Sequence, residues 1–398
     1  MNFLRNILDK AESYFSKGSK YEKFWPLFDA PDTFLFSTNK ITKKAPFLRD
    51  QIDLKRSMFF VVLALIPCLC FGVYNVGLQN KISSGIPFSD AISLPLYDLL
   101  MIGLLSVVPL YIVTFTVGGI CEAIFSVVRG HEINEGFLVT GMLIPLVMPA
   151  SLPLWMVAAS TVFGVVIGKE IFGGTGYNVF NPALLARSFV FFAYPGQISG
   201  DRVWTFDAVS GATPLLAVSS NNSSDSYMDA LVNSSTGHIY TWSDMFIGFI
   251  PGSIGETSTL MVLIGASFLL LTGLINFRTV SGVMIGMILT SYLMNILGSS
   301  SNSSNLMLFL PWYYHLVMGG FAFGMIFMAT EPVTSAHTNT GRWIYGMLIG
   351  VMCILIRCIN PAYPEGMMLG ILFANALAPL IDYYVVKSHK KKRMKRFA

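Results

Sequence analysis

Long apolar runs almost free of charge constrain this 398-residue chain more than any other feature of it. The first, Ser57 to Gly77, contains no acidic or basic side chain. About 20 such residues are needed to cross the hydrocarbon core of a bilayer. By that length the spans read as 57–77, 103–127, 137–150, 154–172, 183–198, 257–274, 279–298, 314–330, 343–359 and 366–386. Backbone polar groups in lipid must be satisfied within the spanning segment, which makes these runs helices. Only 12% of the residues are charged, about half of the roughly 25% found in soluble domains. The expected class is therefore an all-α integral membrane protein of about ten transmembrane helices. Segments 137–150 and 183–198 are short and interrupted by Gly or Pro. Such segments are tolerated at membrane depth where they are buried in protein or line a polar cavity.

Charge gives the sidedness. Of 26 Lys and Arg, eleven lie in residues 1–56 and seven in 387–398. Arg129, Lys169, Arg187, Arg278 and Arg342 fall on the same side of a ten-span topology, and only Lys81, Arg202 and Arg357 on the other. That asymmetry places both termini in the cytoplasm and the polar segment 199–256 on the outer face. Positive charge gathered at the ends of a membrane chain speaks for topology and against nucleic acid. Residues 1–56 are amphipathic and charged, without the apolar core of a secretory signal, so the first span is expected to stay in the mature protein.

Two pairs of strings echo one another: "EGFLVTGMLIPLVMP" from Glu135 with "GGFAFGMIFMATEPV" from Gly319, and "NPALLARSFVFF" from Asn181 with "NPAYPEGMMLGILF" from Asn360. Their offsets, 184 and 179 residues, nearly agree. With five spans on each side of the outer loop, the copies enter from opposite faces as inverted repeats, which place a binding site near the midplane. The organisation is then a cytoplasmic amphipathic region 1–56, a first five-span repeat 57–198, an outer loop 199–256, a second repeat 257–386 and a basic cytoplasmic tail 387–398 against the anionic leaflet.

Polar groups within apolar runs are candidates for function. Glu122, Glu331 and Asp382 offer hard oxygen ligands suited to a small cation or a proton; interfacial solvation or pairing with a cation is the alternative. Gly118 and Gly119 either permit close helix packing or leave room for a flat ligand. Asn178 and Asn181 follow the glycine-rich break Gly173 to Gly176; their amides suit the edge of a heterocycle or the cap of a proline-started helix. That glycine run follows no strand and lacks the dinucleotide-binding spacing, so no nicotinamide site is expected in this chain. The five cysteines lie in apolar runs and read as small buried side chains. In the outer loop, "VSGATPLLAV" presents Thr213 among small residues, with Ser210 as a second hydroxyl.

"SGAT", "HEINEGFLVTGMLIP", "GKEIFGGTGYNVFNPAL", "FAYPGQISGD", "IPGSIGETSTL", "GGFAFGMIFMATEPV" and "NPAYPEGMMLGILFANALAPLID" occur in this order. In that ordered set the chain resembles the B subunits of the sodium-translocating NADH:quinone reductases. "EKFWPLFDAPDTFLF" and "RDQIDLKR" extend the likeness into the amino-terminal region, which the related D subunit of the Rnf complex largely lacks. The resemblance implies one membrane subunit of a six-subunit bacterial inner-membrane complex that passes electrons from NADH to quinone and moves Na+ outward. It implies FMN joined covalently to Thr213 by a flavin transferase, and non-covalent riboflavin near Asn178 and Asn181. It implies a quinone or inhibitor site at Gly118 and Gly119, and a Na+ pathway through Glu122, Glu331 and Asp382. The alternatives are an Rnf-type D subunit working with ferredoxin and NAD, or a passive inverted-repeat channel or transporter.

Overall fold

The computed structural model describes residues 2–16, 18–35, 54–130, 133, 136–198, 212–220, 226–232, 237–301, 303–360 and 365–397. Apart from an isolated bridge between Val232 and Ile239, the described residues form helices, turns and loops. In chain order the helices that carry the argument are α1 (Asn2–Phe15), α2 (Trp25–Leu35), α3 (Leu54–Ser83), α4 (Leu96–Arg129), α5 (Gly136–Leu146) and α6 (Leu154–Val162). They continue with α7 (Pro182–Ala193), α8 (Pro214–Ser220), α9 (Thr259–Leu271), α10 (Phe277–Ser301), α11 (Asn339–Ile359) and α12 (Met367–Phe397). Among the described residues five of these, α3, α4, α10, α11 and α12, are long and apolar enough to cross a membrane, and α5, α7 and α9 are shorter apolar helices.

The remaining expected spans depart from regular α-helix for local reasons. Segment 154–172 is α6 followed by a π-helical stretch, Phe163–Glu170. Segment 314–330 divides at Met318 and Gly319, where Gly319 takes φ +62°, and resumes as Phe321–Phe323 and a π-helical turn, Gly324–Met328. Widened π-type turns of this kind concentrate at functional sites in helices. α4 ends where the sequence supplies glycine: Gly130 adopts φ +70° and its N–H donates to the Ser126 carbonyl.

In the first half α3 packs on α4 and α5, α4 on α5 and α6, and α7 on α5 and α6. In the second half the Gly324–Met328 turn packs on α9, α10 and α12, and α11 lies between α10 and α12. The halves meet where α3 lies on α9 and α7 on α12. A single main core runs through both halves, with Leu65, Leu146, Ile254, Phe323 and Ile371 among its buried members. Outside it, Arg5 of α1 bridges Asp9 and, at 3.0 Å, Asp32 of α2.

α10 and α11 pack backbone to backbone. A side chain at Gly350 would strike the Val283 carbonyl, one at Gly286 the Met347 carbonyl, and one at Gly346 the Thr279 carbonyl. Gly282-x-x-x-Gly286 and Gly346-x-x-x-Gly350 thus interlock, the small-residue pattern by which helices in lipid bring their backbones together.

Candidate functional sites

Two cavities collect the polar groups. The larger lies where the π-helical end after α6, the start of α7 and the turn after Met328 converge, and its polar wall is Lys169, Thr175, Asn178, Asn181 and Glu331. Val61, Leu143, Ile275, Ile326 and Phe327 form an apolar wall. Its volume of about 130 Å³ is roughly ten times what one water requires. A mostly apolar cavity with a few convergent polar groups suits an organic ligand rather than one ion.

The sequence builds this wall by interruption. Glycines at 173, 174 and 176 adopt positive φ and turn the chain out of the π-helical stretch. Asn181 then caps α7, its Oδ1 accepting from the N–H groups of Ala183 (3.0 Å) and Leu184 (3.1 Å). Capping does not take Asn181 out of the cavity wall, which it also lines. Asn178 Nδ2 donates to Glu331 Oε1 at 3.1 Å, and Thr334 Oγ1 donates to Glu331 Oε2 at 3.0 Å. Residues 153 positions apart in sequence therefore form one polar cluster.

Glu122 joins this cluster through a residue that sequence reasoning used only as a topology marker. It is paired with Lys169, and both side chains are 4% exposed. Arg187 and Arg357 were markers too, and they are buried as well. Arg187 pairs with Glu256 at 2.6 Å. Arg357 donates to the carbonyls of His315, Met318 and Glu365. A Lys or Arg inside an apolar run, with an intramembrane carboxylate elsewhere in the chain, was the available signal for such pairs. Lys169→Met should lower the melting temperature markedly, since removing one partner of a buried ion pair costs about 3–5 kcal/mol. The double variant Glu122→Leu/Lys169→Met should recover most of the loss; a double variant as unstable as the single one would refute the pairing.

Gly118 and Gly119 separate in role. A side chain at Gly118 would collide with the Phe137 ring, whereas one at Gly119 meets nothing within 4 Å. Close packing therefore explains Gly118, whereas Gly119 faces open space. Asp382 stands apart from the larger cavity's lining. Its carboxylate accepts from His337 N (2.7 Å), Thr338 N (3.0 Å) and Thr338 Oγ1 (2.6 Å), fastening α12 to the start of α11.

Thr213 belongs to the second cavity, with Ser253, Glu256, Thr257, Gly319 and Glu365. It precedes α8, its Oγ1 accepting from Leu216 N at 3.3 Å, and Tyr240 Oη holds the preceding Ala212 carbonyl at 3.1 Å. Ser210 and Gly211 of the same motif lie outside the described residues, as do Arg202 and Glu135. The structure brings Asn178, Asn181, Lys169, Glu331 and, through Lys169, Glu122 together, and leaves Thr213 and Asp382 in separate places.

The sequence pattern of the NQR2, RnfD, RnfE family matches residues 41–391. The chain is 51% identical over 417 residues to the B subunit of the Na(+)-translocating NADH-quinone reductase of Yersinia pestis, covering 99% of each chain. It is 50% identical to the protein of the same name from Pseudomonas paraeruginosa and 48% identical to that from Klebsiella pneumoniae, again over 99% of each.

Proposed function

The chain belongs to the NQR2, RnfD, RnfE family, and from that premise we propose how its residues serve a sodium-translocating NADH-quinone reductase. It is a membrane subunit of that complex, and full-length likeness to the B subunits of such reductases favours this over an Rnf-type D subunit or a passive channel. Riboflavin occupies the larger cavity, and FMN is carried by Thr213 after transfer by a flavin transferase. Flavins supply the electron-carrying chemistry; the chain's task is to bind, orient and shield them.

The observation that carries this reading is the Asn178–Glu331 pair in the wall of a mostly apolar cavity many times the size of one water. An amide held by a carboxylate is fixed in orientation, so its remaining hydrogen-bonding capacity faces a heterocycle in one geometry. Lys169, tied to Glu122, brings a cation to the same wall. Thr213 fits a phosphoester because its hydroxyl stands half-buried at the start of a short helix, beyond Ala212. The cavity beside it, about 20 Å³, admits no flavin ring, so the ring lies outside it.

Ten spans in two inverted repeats, with both termini in the cytoplasm of the bacterial cell, is the topology we adopt. Its support is the recurrence of pairings: α5 with α3, α4 and α7 in the first half matches the Gly324–Met328 turn with α9, α10 and α12 in the second. Quinone binds at the open face of Gly119, and Na+ enters at Glu122 and Glu331, with Asp382 holding the adjoining helices in register.

The test is flavin analysis of the purified complex. Asn178→Ala should lower extractable riboflavin several-fold while leaving the flavin that remains bound after denaturation unchanged. Wild-type riboflavin content in Asn178→Ala would move the site elsewhere.

A further inference from the structure

Beside Thr213, the second cavity contains a cluster of oxygen ligands that the flavin reading does not use. At about 20 Å³ it holds roughly one water-sized occupant, since a single water takes about 10–15 Å³ by this measure. Thr213, Ser253, Glu256, Thr257 and Glu365 supply its polar lining. The two carboxylates converge on one stretch of backbone. A Cβ at Gly320 would lie 2.6 Å from Glu256 Oε1, and one at Gly319 would lie 3.0 Å from both Glu365 carboxylate oxygens. Glycine at both positions is what lets both acids approach this backbone.

Glu256 is matched by Arg187 at 2.6 Å. The Glu365 carboxylate accepts the Gly320 N–H at 3.2 Å, and among the described residues no cationic side chain lies within ion-pair distance of it. Arg357 is the nearby positive charge, but it contacts the Glu365 backbone carbonyl and the carbonyls of His315 and Met318. An independent observation points to an occupant. Thr257 lines the cavity, is 3% exposed, and its Oγ1 has no hydrogen-bond partner among the described residues. A buried hydroxyl left without a partner costs about 1–3 kcal/mol, so an unpaired one calls for an explanation.

We propose that this cavity is a sodium site at the outer face, formed by the Glu365 and Glu256 carboxylates with the Thr257 and Ser253 hydroxyls. Hard cations take oxygen donors of this kind, and the volume excludes anything larger than a small ion. Its place as the release site rests on the sodium-translocating reading and on the outer position of residues 199–256.

The experiment uses the complete complex in proteoliposomes whose lumen contacts the outer face, with NADH-driven quinone reduction followed as lumenal Na+ is raised at constant ionic strength with K+. In the unsubstituted complex, lumenal Na+ should slow turnover. Glu365→Gln should raise the half-inhibiting concentration about tenfold or more, since even a residue that only supports a metal ligand is worth about 10–100-fold in affinity. Thr257→Val should raise it several-fold and Thr257→Ser should stay near wild type. Should Glu365→Gln not assemble, the Thr257 pair carries the test. An unchanged half-inhibiting concentration in Thr257→Val, or slowing by K+ equal to that by Na+, makes the cavity a water pocket and overturns the proposal. Flavin fluorescence of the same preparations after denaturation reports separately on Thr213, so failure of the flavin reading is distinguishable from failure of the sodium site.

Discussion

Replacing Thr213 by alanine is expected to abolish the flavin fluorescence that survives denaturing electrophoresis and to reduce sodium-dependent quinone reduction to background. The effect is all-or-none because a phosphoester needs a hydroxyl, and alanine offers none. The structural consequence of the same change is small. Thr213 Oγ1 accepts one hydrogen bond, from Leu216 N, and loss of a helix cap costs about 1 kcal/mol. A Thr213→Ala subunit that assembles normally, keeps its riboflavin and lacks the fluorescent band is the expected outcome. Retained fluorescence would remove Thr213 from the role.

The second large effect concerns the fold. Gly350→Val and Gly286→Leu should each prevent recovery of a well-folded subunit, read by size-exclusion chromatography and thermal unfolding in detergent. A Cβ at Gly350 would also lie 2.6 Å from Met287 N, so backbone rather than a movable side chain blocks it. Overpacking of a tight interface costs typically about 1–3 kcal/mol, and here whole helices would have to separate. Gly370→Ala is the control, because its nearest neighbour, the Ile349 carbonyl, stands 3.4 Å away, an ordinary contact. Equal stability of Gly350→Val and Gly370→Ala would mean that α10 and α11 do not pack as described.

These two cases show what the sequence discloses. The membrane class follows from hydropathy alone, and α3, α4, α10, α11 and α12 stand where long apolar runs placed them. Segment 314–330 was less legible. Its apolar content reads as one crossing, but the positive φ of Gly319 and the π-helical turn from Gly324 break it into pieces. Hydropathy averages over a window and does not register such breaks. The polar cluster was half legible. Asn178, Asn181, Glu122 and Glu331 could each be singled out as polar residues near apolar runs, but their assembly through Lys169 could not, since positions 122 and 169 sit on different helices. The glycine spacings of α10 and α11 were present in the sequence and specify packing, whereas Gly118 and Gly119 needed coordinates to tell a packed glycine from an open one.

Arg187 and Arg357 carry a further physical lesson. A positive-inside count assumes that basic residues sit at the interface, yet both are buried and bonded within the protein. Orientation therefore rests on the termini, where eleven and seven basic residues lie, and on exposed charges such as those of the tail.

Whether this chain holds a flavin between its two halves, against the wall formed by Asn178 and Glu331, is tested most directly by a density map of the purified complex. Planar three-ring density is expected against Asn178, whose Nδ2 is already committed to Glu331 and Phe180, between Leu143 and Phe327. Lipid or collapsed side chains filling that cavity, with flavin density elsewhere in the chain, would contradict it.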